Sequence, residues 1–176
     1  MNEEQRFHLK LLSILLQYPD DEIVDSLGEL KEAAQEISQV EKRRIYLKFL
    51  QYLGSNLLIR LQEEYTTSFD FKPATSLNLT YHKWGDARER GNALVGFQQL
   101  YATAGYAITS CELPDYLPIL LEFLSINHQE CDFSFLGDYL GQLRGIGARL
   151  EECASPYAGL LETALDIFRE LKLNGA

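Results

Sequence analysis

The stretch VEKRRIYLKFLQYLGSNLLIRLQEEYTTSF, residues 40–69, contains no proline, and its apolar positions Ile45, Phe49, Leu50, Leu53, Leu57, Leu58, Leu61 and Tyr65 recur three or four apart. At about 100° per residue, that spacing lines them along one side of an α-helix. Gly54 either breaks this helix or loosens it. No segment alternates apolar and polar residues for long enough to demand a strand, and the strand-turn-glycine punctuation of a βαβ unit is missing. The reading is therefore helical throughout.

Upstream, Phe7, Leu11, Ile14, Leu15 and Tyr18 form a helical stripe over residues 3–18 that Pro19 stops. Asp20, Asp21 and Glu22 follow, where a new helix presents unpaired N–H groups and its positive dipole end, and that helix is expected to run to about Ser38. Downstream, SFDFKPATSLNLTYHKWG lacks a clean period and reads as an ordered connection with one short helix after Ser76. Asp86, with Glu89 three residues on, has the pattern of a capping box opening a helix to about Ile108. LPDYLPILLEFLSI signals another, with Pro114 or Pro118 in its first turn, and Leu117, Leu120, Leu121 and Leu124 toward the core. Leu136, Leu140, Leu143, Ile146 and Leu150 mark a further helix; Ser155 and Pro156 open the last. The expectation is an all-α single domain over residues 1–176, an irregular bundle of six to eight helices.

Of 176 residues, 26 are acidic and 16 basic, a net charge of −10 that opposes phosphate-contact binding of nucleic acid and docking on anionic lipid. The deficit of bases is local: Gly91 to Leu143 holds no lysine or arginine, while Glu112, Asp115, Glu122, Glu130, Asp132 and Asp138 fall within it. An acidic face of this kind suits a basic, partly apolar peptide. Cys111, Cys131 and Cys153 are odd in number and form no CxxC, which fits a reducing compartment better than a disulfide scaffold. With an acidic N-terminus and no long apolar run, the expectation is a cytoplasmic protein without a membrane span.

Enzymatic signatures are few. There is no phosphate-binding loop, nucleophile elbow, HExxH helix or calcium loop, and the glycines of RGIGAR follow no strand. His128 and Cys131 are spaced for one helix face but lack the further ligands that zinc needs. Adjacent pairs such as Glu63–Glu64 and Glu151–Glu152 do not face each other on a helix. More informative are Arg88 and Arg90, which oppose the dipole at a helix start and call for a buried or bidentate carboxylate partner, with Glu112 and Asp115 as candidates. Asp115 and Glu122 are expected on the polar side or rim of a groove wall stiffened by prolines, with Tyr116 or Tyr81 as an aromatic contact.

Three segments together carry a family pattern: LLSILLQYPDDEI at 11–23, LQEEYTTSFDFKPATSLNLTYHKWGDARERGNAL at 61–94, and ELPDYLPILLEFL at 112–124, with SPYAGLL at 155–161 in support. The chain resembles the NarJ-type delta chaperones of respiratory nitrate reductase, a branch of the helical maturation chaperones for molybdenum enzymes. The resemblance implies an assembly factor, not an enzyme, without a cofactor or metal of its own. It implies binding to the catalytic alpha subunit of nitrate reductase, including its N-terminal segment, for insertion of the molybdenum cofactor and an iron-sulfur cluster before membrane attachment. It also points to Tyr65, Phe69 and Asp70, to Gly85, Asp86, Arg88, Arg90 and Gly91, and to Glu112, Leu113, Pro114, Asp115, Tyr116 and Pro118. Tyr81 and Glu122 join this set from the residue reading. Family members often carry histidine where this chain has Tyr116, which does not titrate near pH 7. A chaperone for another molybdenum oxidoreductase is the nearest alternative; a helical enzyme or nucleotide-binding domain is the alternative of a different class.

Overall fold

The structure, a computed structural model, describes residues 1–128 and 133–174. Expectations placed on Glu130, Cys131 and Asp132 fall outside the described residues. Ten α-helices occur among the described residues: α1 (Glu3–Leu15), α2 (Asp21–Asp25), α3 (Leu27–Gln35), α4 (Val40–Gly54), α5 (Leu58–Tyr65), α6 (Tyr81–Trp84), α7 (Glu89–Thr103), α8 (Leu117–Ile126), α9 (Leu140–Glu152) and α10 (Ala158–Asn174). A π-helical turn spans Thr66–Asp70, and 3-10 turns span Pro73–Thr75 and Phe133–Tyr139. No strand forms among the described residues, only an isolated antiparallel bridge between Asn78 and Tyr116.

Ten helices replace the expected six to eight because two long periodic runs are each split. Around Ser26 the run from Asp20 to Ser38 becomes α2 and α3, with Ser26 ending one and starting the other. After Gly54 the chain turns through Ser55–Leu57 before α5 begins, so the Val40–Phe69 run is also two helices. In both cases the apolar stripe continues across the break, and periodicity alone does not register it.

Three starts and stops have clear chemistry. The Asp20 carboxylate accepts from the Ile23 N–H at 2.9 Å, as its place ahead of α2 predicts. The Asn2 side chain and Gln5 close a reciprocal capping box on α1. α1 stops at Leu15, earlier than Pro19 requires, and the Leu16 carbonyl accepts from the hydroxyl of Tyr65 at 3.1 Å. The expected box at Asp86 does not form: α7 starts at Glu89 behind Arg88, with no side-chain cap, and Gly85 turns the chain ahead of it with a φ of 52°.

One apolar core runs through the molecule. α1 lies against α8 and α10, and α10 also packs on α9 and α4. Leu9, Leu12 and Leu16 from the first segment, Leu117, Leu120 and Leu121 from α8, and Leu160, Leu161 and Phe168 from α10 are fully buried. At about 1.5–3 kcal/mol for each buried side chain, this three-helix seam is a substantial part of the favourable side of folding. Gly159 permits the close approach of α10 to α4, since a Cβ there would stand 3.0 Å from Ile45 Cγ2. By contrast, α7 buries only Phe97 and Tyr101 and lies at the edge.

Candidate functional site

Where α1 ends, α5 enters its π turn and α8 begins, two cavities lie side by side. The smaller, about 150 Å³, is lined by Tyr18, Tyr65, Phe69, Asp70, Glu112 and Tyr116, with Ser76 to Asn78 closing one side. The larger, about 270 Å³, extends from Tyr18, Glu112 and Tyr116 toward Tyr101, Tyr106, Ile108, Pro118, Phe123 and Ile126. Tyr18, Glu112 and Tyr116 belong to both, so they divide one groove into two chambers. Among the described residues, no lysine or arginine lines either chamber.

Local backbone chemistry sets this geometry. The π turn, closed by the Phe71 N–H on the Thr66 carbonyl at 3.0 Å, adds a residue to the turn after Tyr65. Tyr65 and Phe69 end up packed against each other with 4.8 Å between ring centres and their planes tilted by 59°, both buried, with Asp70 at the rim. Opposite, Leu79 N–H donates to the Asp115 carbonyl at 3.1 Å and Leu117 N–H to the Leu77 carbonyl at 2.9 Å, stapling residues 77–79 to 115–117. Pro118 occupies the first turn of α8, where its missing N–H costs nothing.

Asp115 holds this staple from inside. Its carboxylate is fully buried and accepts from the Thr80 N–H at 2.9 Å, the Thr80 hydroxyl at 2.5 Å and the Asn78 side-chain amide at 3.2 Å. Arg90 supplies the cation, with Nη2 at 3.8 Å from Asp115 and Nε donating to the Thr80 hydroxyl at 3.1 Å. The expected arginine-carboxylate pairing thus exists at Arg90, but it is a single long contact, not a bidentate one, because Thr80 takes the second donor. Asp115 lies behind the groove wall, not on its surface.

The tyrosines are hydrogen-bonding groups here, not acids or bases. Tyr65 and Tyr116 hydroxyls meet at 2.5 Å. Burial pushes both phenols well above the ordinary tyrosine range, and for Tyr116 the nearby Glu112 and Asp70 charges add to that rise. Partial burial likewise raises the Asp70 carboxyl, against a hydrogen bond from Thr66. Asp70 and Glu112 form no ion pair with any described residue, whereas Glu122 is engaged by Lys10 at 2.7 Å. Among the described residues there is no His/Cys/Asp/Glu group able to hold a metal.

Of the residues singled out in the sequence, Tyr65, Phe69, Asp70, Glu112 and Tyr116 converge on the smaller chamber, and Pro118 and Glu122 on the larger. Pro114 is buried and its carbonyl accepts from the Tyr101 hydroxyl at 2.8 Å; Leu113 is exposed beside the groove. Tyr81 lies under the Arg90 guanidinium at 5.3 Å and lines neither chamber. Arg88 and Asp86 are exposed, without an ion pair to any described residue. Tyr18, Asn78, Thr80, Tyr101 and Tyr106 were not anticipated. The YPD turn could have marked Tyr18, but nothing local marks Thr80 as the partner of Asp115.

Residues 21–162 match the family model described as nitrate reductase delta subunit. A Bacillus subtilis (strain 168) chain described as a nitrate reductase molybdenum cofactor assembly chaperone, NarJ, is 36% identical over 92% of this chain and 88% of its own length. The Escherichia coli (strain K12) chaperone of that description, also NarJ, is 34% identical over 90% of this chain and 68% of its own. Among solved structures, an Archaeoglobus fulgidus protein described as a redox enzyme maturation protein superposes with a TM-score of 0.63 at 28% identity, covering 94% of this chain and 92% of that one. A match over most of its length, on a helical fold shared with a maturation protein, establishes that this chain belongs to the nitrate reductase delta subunit family.

Proposed function

We propose that this chain is a dedicated maturation chaperone. It binds the catalytic alpha subunit of a respiratory nitrate reductase, including that subunit's N-terminal segment, and holds it open until the molybdenum cofactor and an iron-sulfur cluster are inserted. The observation that carries this reading is the convergence of Tyr65, Phe69, Asp70, Glu112 and Tyr116 on one groove, in a chain whose relatives are described as cofactor assembly chaperones of that enzyme. An aromatic floor with a polar rim is the anatomy of a peptide-binding surface, in which apolar burial supplies affinity and rim charges supply selectivity. No covalent step is required of the chain. A chaperone for another molybdenum oxidoreductase is the second reading, favoured by the broader description of the archaeal neighbour.

The test is maturation in cells. Removal of the chain is expected to leave nitrate reductase low in molybdenum and inactive, and restoring it to recover both. Enzyme matured in its presence stays active once the chain is stripped away; loss of activity on stripping would make it a working subunit instead.

A further inference from the structure

Building on the chaperone reading, the composition of the smaller chamber specifies what it takes. Its walls are four aromatic rings, Tyr18, Tyr65, Phe69 and Tyr116, and its rim carries two carboxylates, Asp70 and Glu112, neither paired with a cation among the described residues. Aromatic faces around an acidic mouth form the surroundings in which a cation is held, since ring quadrupoles and full charges act in the same direction. At about 150 Å³ the chamber is too small for a helix, about 10 Å across, and suits one side chain. The adjoining chamber is more apolar, walled by Tyr101, Tyr106, Ile108, Phe123 and Ile126, and its one further acid, Glu122, is already matched by Lys10.

We propose that the smaller chamber is a subsite for a single lysine or arginine side chain of the client segment, with Asp70 and Glu112 as its counter-charges, and that neighbouring apolar side chains of the same segment fill the larger chamber. Recognition is then bipartite: apolar residues anchor the segment, and the caged cation sets its register. Tyr116 forms the wall between the two chambers, and its hydroxyl, fixed to Tyr65, keeps that wall upright.

The experiment uses an N-acetylated synthetic peptide of the alpha subunit's N-terminal segment, so that every cation on it is a side chain. Each lysine and arginine is replaced singly by methionine, and binding is measured by calorimetry to the native chain and to a D70N/E112Q variant. One replacement is expected to weaken binding to the native chain about 5- to 10-fold while changing binding to the variant by less than about twofold, the non-additivity that marks a direct charge pair. Should the double variant fail to fold by far-UV dichroism, the single variants D70N and E112Q carry the same cycle, both side chains lying on the surface. If no replacement matters, or if one matters equally in native and variant chains, the cation subsite is overturned while the chaperone reading stands. If the unaltered peptide does not bind at all, the cation subsite falls together with recognition of the N-terminal segment.

Discussion

The hydroxyls of Tyr65 and Tyr116 meet 2.5 Å apart beside the Leu16 carbonyl, so that the end of α1, the end of α5 and the start of α8 share one hydrogen-bonded point. Tyr116→Phe keeps the ring and removes one hydroxyl. The expected loss is about 1 kcal/mol, the usual net worth of a buried hydrogen bond, read from the urea unfolding midpoint at unchanged slope. A midpoint equal to that of the native chain would mean that the pair does not brace the groove.

Asp115 should be among the costliest polar positions to change. In Asp115→Ala the Thr80 N–H, the Asn78 amide and the Arg90 guanidinium lose their shared acceptor inside the protein. Stranding such partners costs about 3–5 kcal/mol, so the variant is expected to unfold in much less urea, with Asp115→Asn intermediate. Near-native stability of Asp115→Ala would contradict the staple.

Arg88 and Arg90 are two residues apart yet should respond differently. Arg90→Lys loses the Nε donor to Thr80 and the planar contact over Tyr81, for an expected destabilisation of about 1 kcal/mol. Arg88→Lys alters an exposed side chain and should remain within about 0.5 kcal/mol of the native chain. Equal losses at the two positions would refute the assignment of the ion pair to Arg90.

Acid should weaken the fold through His8, which is fully buried among α1, α4 and α10, with Nδ1 at 3.2 Å from the Tyr46 hydroxyl and Nε2 without a partner among the described residues. Burial, and then the Lys42 charge, lower its pKa to about 4, against opposing pulls from Glu4 and Glu170. The folded chain therefore keeps His8 neutral where the unfolded chain has begun to bind a proton. Stability is complete above about pH 6.5 and declines as the pH falls toward about 4, by about 3 kcal/mol at about 1.4 kcal/mol per pKa unit. His8→Gln should flatten that part of the pH profile; an unchanged slope would locate the acid sensitivity elsewhere.

Much of the helical architecture was readable from local pattern. The stripes through Leu11, Phe49, Leu120 and Leu160 identify faces that are indeed buried, and Asp20 caps α2 as its position suggests. What escaped was set by contacts between distant parts of the chain. α1 ends at Leu15 beside tyrosines 49 and 100 positions beyond Leu16, and no local signal announces that. Asp86 and Glu89 had the spacing of a capping box, but the chain leaves Gly85 in a different turn and starts the helix later. The residue set around Tyr65, Phe69, Glu112 and Tyr116 came from family resemblance, and the groove they share depends on the π turn and on the Asn78–Tyr116 bridge, neither of which has a periodic signature. The acidity of residues 91–143 was a guide to charge, not to placement: Asp115 is inside, Glu122 is paired, and Glu112 remains on the groove with Asp70 from outside that span.

The most direct test of the chaperone account is co-purification of the tagged chain from cells that make nitrate reductase but cannot synthesise the molybdenum cofactor. The account predicts that the alpha subunit is retained, lacks molybdenum, and leaves the chain when cofactor synthesis is restored. Absence of the alpha subunit from the purified chain, or its persistence in a complex with fully loaded, active enzyme, would contradict it.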